Sequence, residues 1–506
     1  MAITRRQFLK RSGLVTAGSL LGPGLFANPF VRRALADTIG NRYLVVIFLD
    51  GGNDGLNTVV PVDDVEGLRT AYNAARKPSG PGALGLSPGD LAATFIGKNR
   101  GTGTQMALHP GFAGIPGNPN GAGGLKALYD AHRVAVIQGC GYPNYSLSHD
   151  ESRTIWRTGD PAETGAGTGW IGRHLVSPNG GAYGGSDIPA VCIDDSIVGE
   201  FKQGGTSVLA VGSLDDIGFP RDPDYFDEYD NFSHDALVGA SGILTSAAGS
   251  SQPTLKYIGN TGVSTLQSID NYPALNDPYD LDTGARKVFS QMYEDVGRSV
   301  ARDLREIAKV INGVRQGATG VHARFFQLSN GGYDTHSDQG ANDPNGQHFD
   351  LHAELGASLK VFFDDLDDMG VADRVTVLIW SEFSRRIDQN DSGTDHGSQG
   401  PMFLIGGSVR GGVYGMHANI ANAALDDEGN TVYTQNTAGN DFRSTDFRDV
   451  YGTVLKHWLR MGESDILSDV LTLDNNADAA HYWNTQNFDL KRPTDNLDLF
   501  DPAAPA

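Results

Sequence analysis

The sequence predicts an α/β fold, a mostly parallel central sheet with helices on both faces and an inserted loop-rich segment. Three observations carry the prediction. Short unbroken apolar runs recur along the chain, several are separated by segments of helical period, and most end in polar, glycine-rich stretches. Strands buried on both faces read as continuous Val/Ile/Leu runs instead of alternating, and strand–helix alternation implies crossovers that cover both faces of one sheet.

The runs are "YLVVIFLD" (43–50), "RVAVIQGCG" (133–141), "IPAVCID" (188–194), "ARFFQLSN" (323–330), "RVTVLIWSE" (374–382) and "PMFLIGG" (401–407). Each has strand length and is closed by Gly, Asn, Asp or a carboxylate. Helical periods lie between them: "LKALYDAH" before the second run, 285–314 before the fourth and 348–370 before the fifth. A late helix is expected over 444–462, with Ser444 or Thr445 as N-cap and Gly462 as stop. Residues 195–284 are richer in Asp, Gly, Ser and Tyr and weakly periodic, and read as an insertion covering one edge of the sheet.

The N-terminus has its own grammar. Arg5-Arg6 precede Phe8-Leu9-Lys10, then a mildly apolar stretch broken by Gly and Ser, then Ala34-Leu35-Ala36. This order is that of a twin-arginine export signal with a small-residue cleavage site, so residues 1–36 are expected to be removed and 37–506 to form a single domain. The expected partner is the twin-arginine export machinery and the expected location periplasmic or secreted. Removing the signal takes six basic residues and no acid, which moves the formal charge from −22 to −28. A chain so acidic repels phosphate backbones, which argues against a nucleic-acid partner and for a pull on divalent cations. No later segment approaches the length of a membrane span. With only Cys140 and Cys192, a thiolate zinc scaffold is excluded, while one disulfide and two buried thiols both remain open.

In an open parallel sheet, ligands gather beyond the carboxyl ends of the strands. Asp50 and then "GGNDGLN", with Asp54, follow the first run. The second is followed by "YPNYSLSHDESRTIWRTG", which puts Ser148 and His149 at a helix start; as bland readings, Ser148 is an N-cap forming a capping box with Glu151, and Asp54 only ties its turn. After the fourth comes "GGYDTH", with Asp334 and His336, and the fifth ends on Glu382 ahead of "GTDHG", with Asp395 and His396. Carboxylate and imidazole from four strand ends are a ligand set for a divalent cation such as Zn, Mn, Mg or Ca. Arg385 and Arg386 are the expected contacts for a substrate anion. His348 and His352, four apart on a helix, lack the glutamate of a zincin pair, since Asp350 stands between them; they and His109, His132, His174, His322, His417 and His457 read as ordinary core or surface histidines.

"FLDGGNDGLNTVVP", "SLSHDESRTIWRTG", "GGYDTH", "SEFSR" and "GTDHG…MFLIGGSVRGGVYG", in this order behind the export signal, resemble the bacterial exported proteins of the domain-of-unknown-function 1501 family (DUF1501). That resemblance covers the mature chain and implies the alkaline phosphatase and sulfatase superfamily, in which metals sit at the carboxyl edge of a parallel sheet and a nucleophile stands at a helix start. It implies that Asp50 is a metal aspartate and that Asp334 and His336 are ligands. The superfamily nucleophile stands ten residues before the glycine that closes "RTIWRTG", which here is His149, not Ser148. Glu382 falls where the superfamily has the aspartate of an Asp-His pair, but Phe383 occupies the place of the histidine, which His396 replaces or supplements. Three attacks are implied: by His149 through a phosphohistidine, by Ser148, or by a hydroxide held on the metal with His149 as a ligand. The expected function is an exported metal-dependent hydrolase of phosphate or sulfate esters, with small molecules or polymers as substrate. The alternative is a non-catalytic exported surface or assembly protein that keeps the fold.

Overall fold

The computed structural model describes residues 42–471 except 78, 100–102, 143–144, 162–166, 179–187, 205–206, 218–238, 240, 298, 341–345, 416, 418–419, 421–422, 426–430 and 434–444. The export signal lies outside the described residues, as does Ser444. A sheet with nine strands among the described residues organises the fold. Its strands are β1 (Tyr43–Leu49), β2 (Val134–Gly141), β3 (Ala190–Ile193), β4 (Val208–Ala210), β5 (Phe325–Asn330), β6 (Val375–Trp380), β7 (Gly400–Gly406), β8 (Gly412–Tyr414) and β9 (Thr445–Asp446). The order is β8-β2-β7-β6-β1-β5-β3-β4, with β9 beside β2.

β1 is central and its two faces feed different cores. Tyr43, Val45, Ile47 and Leu49 pack into one cluster, with Val300, Leu304 and Ile307 of α5 (Ser299–Gln316) and Leu355, Leu359 and Phe362 of α6 (Gln347–Asp368). Leu44, Val46 and Phe48 pack into the other, with Ile155 and Trp156 of α3 (His149–Thr158) and Phe447, Val450 and Tyr451 of α7 (Phe447–Thr453). Every residue of β1 is buried, as an uninterrupted apolar run demands when both faces are covered. The remaining helices named here are α1 (Gly55–Thr58), α2 (Gly124–Asp130) and α4 (Lys287–Val296).

All six apolar runs are strands of this one sheet. β1, β5, β6, β3 and β4 are mutually parallel, whereas β7 is antiparallel to both β2 and β6. Its apolar run reads the same in either direction, so sequence gave no sign of the reversal. The reversal matters for position: with β7 inverted, β2 points the same way as β6, and the start of β7 lies at the edge where β1, β2, β5 and β6 end. The 285–314 period is two helices, α4 and α5, because Gly297 at φ +74 caps the first in the left-handed region. The late helix is capped by Asp446, which accepts from Arg448 N–H at 3.0 Å, one residue past the expected caps. It runs into a π turn at Val454–Trp458 and ends before Gly462, which instead caps the next short helix. Within 195–284, β4 adds to the sheet beyond β3. Cys140 on β2 and Cys192 on β3 are both buried and free. Among the described residues no helix is long and apolar enough to cross a membrane.

Candidate metal centre

The site is assembled at the shared edge. Leaving β1, the chain makes a turn through Gly51 at φ +123 and Gly52 at φ +85, both in the region that favours glycine. A Cβ on Gly51 would lie 2.3 Å from Asp334 N, and one on Gly52 2.4 Å from the Phe383 ring. The turn therefore brings the β5 loop and the residues after β6 against the end of β1. Glu382, fully buried, fills the turn: it accepts from Gly51 N–H at 3.0 Å, Gly52 N–H at 3.2 Å and Ser381 Oγ at 3.1 Å.

A fourth donor reaches Glu382 from α3, where His149 Nδ1 lies 2.9 Å from Oε1. A carboxylate only accepts, so Nδ1 carries the proton and His149 Nε2 is the free face of the ring. This hydrogen bond, ahead of the nearby charges of Glu382 and Asp334, raises the His149 pKa against the opposing effect of burial. The same logic fixes two more rings. His396 Nδ1 meets Leu147 O at 2.8 Å, and His336 Nδ1 meets Asp395 Oδ1 at 3.1 Å. In each neutral ring Nε2 then carries the lone pair.

These three Nε2 atoms face one carboxylate. Asp334 lies 3.6 Å from His149 Nε2, 3.3 Å from His396 Nε2 and 3.2 Å from His336 Nε2, and the latter two nitrogens are 3.0 Å apart. Lone pairs pointed at one another and at a carboxylate repel unless a cation or proton lies among them. Donor atoms of His149, Asp334 and His396 lie within 4.8 Å of one another, a spacing that a single ion can span. The rings are oriented from behind by Glu382, the Leu147 carbonyl and, for His336, Asp395, as metal-binding histidines commonly are. The donor set thus fits a divalent cation, and its imidazoles favour Zn over Mg or Ca.

The loop after β6 returns to this cluster through a two-residue ribbon, Ser384–Arg385 paired antiparallel with His396–Gly397. Gly397 and Gly393 are needed there: a Cβ at either would come within 2.4 Å of a carbonyl carbon, of Arg385 and His336 respectively. Asp334, His336 and Asp395 have side chains roughly half exposed, at 48%, 44% and 51%, so the centre opens to solvent. Phe383, in the place of the missing histidine, walls the site with its ring 4.9 Å from that of His149 and 4.4 Å from that of His396.

Not every expected residue joins the cluster. Asp50 is engaged by Arg153 of α3 at 2.7 Å. Asp54 is buried, caps α1 through Asn57 N–H and binds Arg76 and Gln339, each at 2.7 Å, which is a structural role. Glu382, expected as a ligand, has all four acceptor sites taken by the turn, Ser381 and His149. Arg385, expected to meet a substrate anion, has a fully buried side chain that donates to backbone carbonyls and to Asp334. Arg386 is half-buried; its N–H binds Asp395 O at 2.9 Å and its carbonyl accepts from Arg76. Ser148 is exposed at the start of α3 and makes no capping bond, while Glu151 accepts from Ser146 Oγ at 2.8 Å, so the capping box does not form.

Sequence reasoning missed a second group of histidines. His109, His348 and His352 are fully buried together beneath the turn, with ring centroids 4.2 to 5.0 Å apart. His348 Nε2 lies 3.3 Å from Asn53 Oδ1 and His352 Nε2 3.1 Å from Thr58 Oγ1. Only the i, i+4 spacing of His348 and His352 hinted at it, and nothing local connects them to His109.

Residues 290–471 match the family described as "Protein of unknown function (DUF1501)". No curated protein matches the chain. Among solved structures, the chain is similar to the lipoteichoic acid synthase LtaP from Listeria monocytogenes, at 8% identity and a TM-score of 0.25 over 76% of this chain and 73% of that one. A likeness of that size does not bear on chemistry.

Proposed function

We propose that the protein is a metal-dependent hydrolase of phosphate or sulfate esters, exported by the twin-arginine pathway to the periplasm or beyond. The observation that carries the enzymatic part is the convergence of three Nε2 lone pairs on Asp334, each ring tethered at Nδ1. His149, His396 and Asp334 would hold the ion, and His336 stands beside them. A bound divalent ion supplies polarisation of the ester oxygens and a more acidic water or hydroxyl.

The remaining chemistry belongs to the chain. Glu382 keeps the His149 proton on Nδ1, and Nε2 faces Asp334 within the cluster of donor atoms that would hold the ion, which supports the reading of His149 as a ligand over that of a phosphohistidine acceptor. Ser148, exposed one residue earlier at the positive end of α3, is the hydroxyl nearest in sequence to this ligand and competes with water as the attacking group. His336, half exposed and held by Asp395, is placed to take a proton from the attacking oxygen or give one to the departing alcohol. The Phe383 ring keeps water from the back of the His149 and His396 rings.

Purified mature protein should bind Zn or Mn and cleave aryl phosphates or aryl sulfates. Chelator should lower its Tm, by a stabilisation of about 2.7 kcal/mol at a hundredfold excess of ion over Kd, and much less in a His336→Ala, His396→Ala double variant. Metal-loaded protein inert to both ester classes leaves the non-catalytic alternative standing. A Tm unmoved by chelator, with no ion released, removes the metal as well. For export, Arg5→Lys with Arg6→Lys should leave uncleaved protein in the cytoplasm, and normal export of that variant would refute the signal.

A further inference from the structure

We propose that the Arg385 guanidinium is a built-in cation that occupies the place of a second metal, so that the centre takes one ion per chain. This rests on the metal-centre reading above and says how many ions the site accepts. The Arg385 side chain is fully buried at the carboxyl ends of the central strands. Its Nε donates to Gly52 O at 2.7 Å, Nη1 to Thr394 O at 2.9 Å, and Nη2 to Tyr333 O at 2.9 Å, to Asp334 Oδ1 at 2.6 Å and to Gly51 O. Four carbonyl oxygens and a carboxylate are the kind of ligand a hard cation takes, and here they ring a guanidinium.

The neighbouring acids among the described residues are already paired. Glu382 has its acceptor sites filled by the Gly51-Gly52 turn, Ser381 and His149. Asp50 is paired with Arg153, Asp395 with His336, and Asp54 with Arg76 and Gln339. Asp334 is shared: Oδ1 takes the Arg385 hydrogen bond and faces His336 and His396, while Oδ2 faces His149. Arg385 thereby fixes the Asp334 carboxylate in the rotamer that presents it to the histidines, and is a positioning residue. A flexible lysine could match the charge but could not span this set of acceptors.

The experiment is metal stoichiometry. Protein stripped with chelator, reloaded with Zn or Mn and freed of excess by gel filtration is assayed by elemental analysis, for wild type, Arg385→Lys, Arg385→Ala and His396→Ala. Folding is checked by circular dichroism. One ion is expected in wild type and in Arg385→Lys, with at least tenfold weaker binding in the lysine variant, and none is expected in His396→Ala. Arg385→Ala is expected to melt lower than wild type and to be restored by millimolar guanidinium or by a second equivalent of metal. Should Arg385→Ala not fold, the wild-type count and the lysine affinity decide. Two ions in wild type, or unchanged affinity in Arg385→Lys, overturn the role of Arg385 while leaving the metal reading intact. No ion in any protein overturns the metal reading, and this one with it.

Discussion

Glu382 shows how a residue's type can be legible in sequence while its role is not. A carboxylate at the end of an apolar strand reads as a ligand, and only the fold reveals that two N–H groups 330 and 331 residues away, from Gly52 and Gly51, close around it. Arg385 fails in the same way: "SRR" beside acids reads as an anion contact, but ribbon pairing with His396 turns the first arginine inward. That His336 and His396 meet at this edge was legible because Gly-rich loops have no structural use for an imidazole. Two substitutions probe this scale. Glu382→Gln keeps the shape but puts an amide N–H against a donor it must now face; it should weaken metal binding by about 10- to 100-fold, as loss of an orienting partner does, measured by titration with a metal indicator. Gly52→Ala combines a positive φ with a Cβ 2.4 Å from the Phe383 ring and should cost about 2 kcal/mol or more in urea unfolding, with the metal affinity falling alongside.

At the scale of elements, the strands were legible and their neighbours were not. An unbroken apolar run announces burial on two faces, yet carries no direction, which is why β7 was read with the parallel strands. Helix ends were misread where a single residue decides them, Gly297 between α4 and α5 and Asp446 ahead of α7. Strand order settles the two cysteines. Between β2, carrying Cys140, and β3, carrying Cys192, stand β7, β6, β1 and β5. At about 4.8 Å per strand the thiols are roughly 24 Å apart, several times the reach of a disulfide. Burial also pushes the Cys192 thiol up to about 12 and the Cys140 thiol higher still. Native protein should therefore be inert to a thiol reagent at pH 8, and denatured protein without reductant should release two reactive thiols per chain. A native disulfide would show as none.

At the scale of the whole molecule, several histidines among the described residues are buried with depressed pKa values, and this makes a prediction about acid. His174 is fully buried with neither ring nitrogen hydrogen-bonded, its ring edge-on to Phe325 at 5.5 Å, and burial pulls its pKa from 6.5 down to about 4. His348 and His352 are shifted well below 6.5, first by burial and then by neighbouring histidines. For a base whose folded pKa is depressed, the unfolded chain takes up the proton first. Stability is complete above pH 6.5, falls as pH drops from 6.5 towards 4, and levels off below the folded value. His174 alone accounts for about 3 kcal/mol across that window, since one pKa unit is about 1.4 kcal/mol. His149 acts in the opposite sense: its raised pKa stabilises the metal-free fold at low pH, and that contribution is lost as pH rises through the folded value. Urea unfolding of metal-free protein from pH 7.5 to 4 should show this decline. A His174→Leu variant, which keeps a buried apolar side chain and removes the titrating group, should lose about 3 kcal/mol less than wild type over the same range. Parallel curves for the two proteins would mean that His174 is not the neutral, unpartnered group that its burial describes.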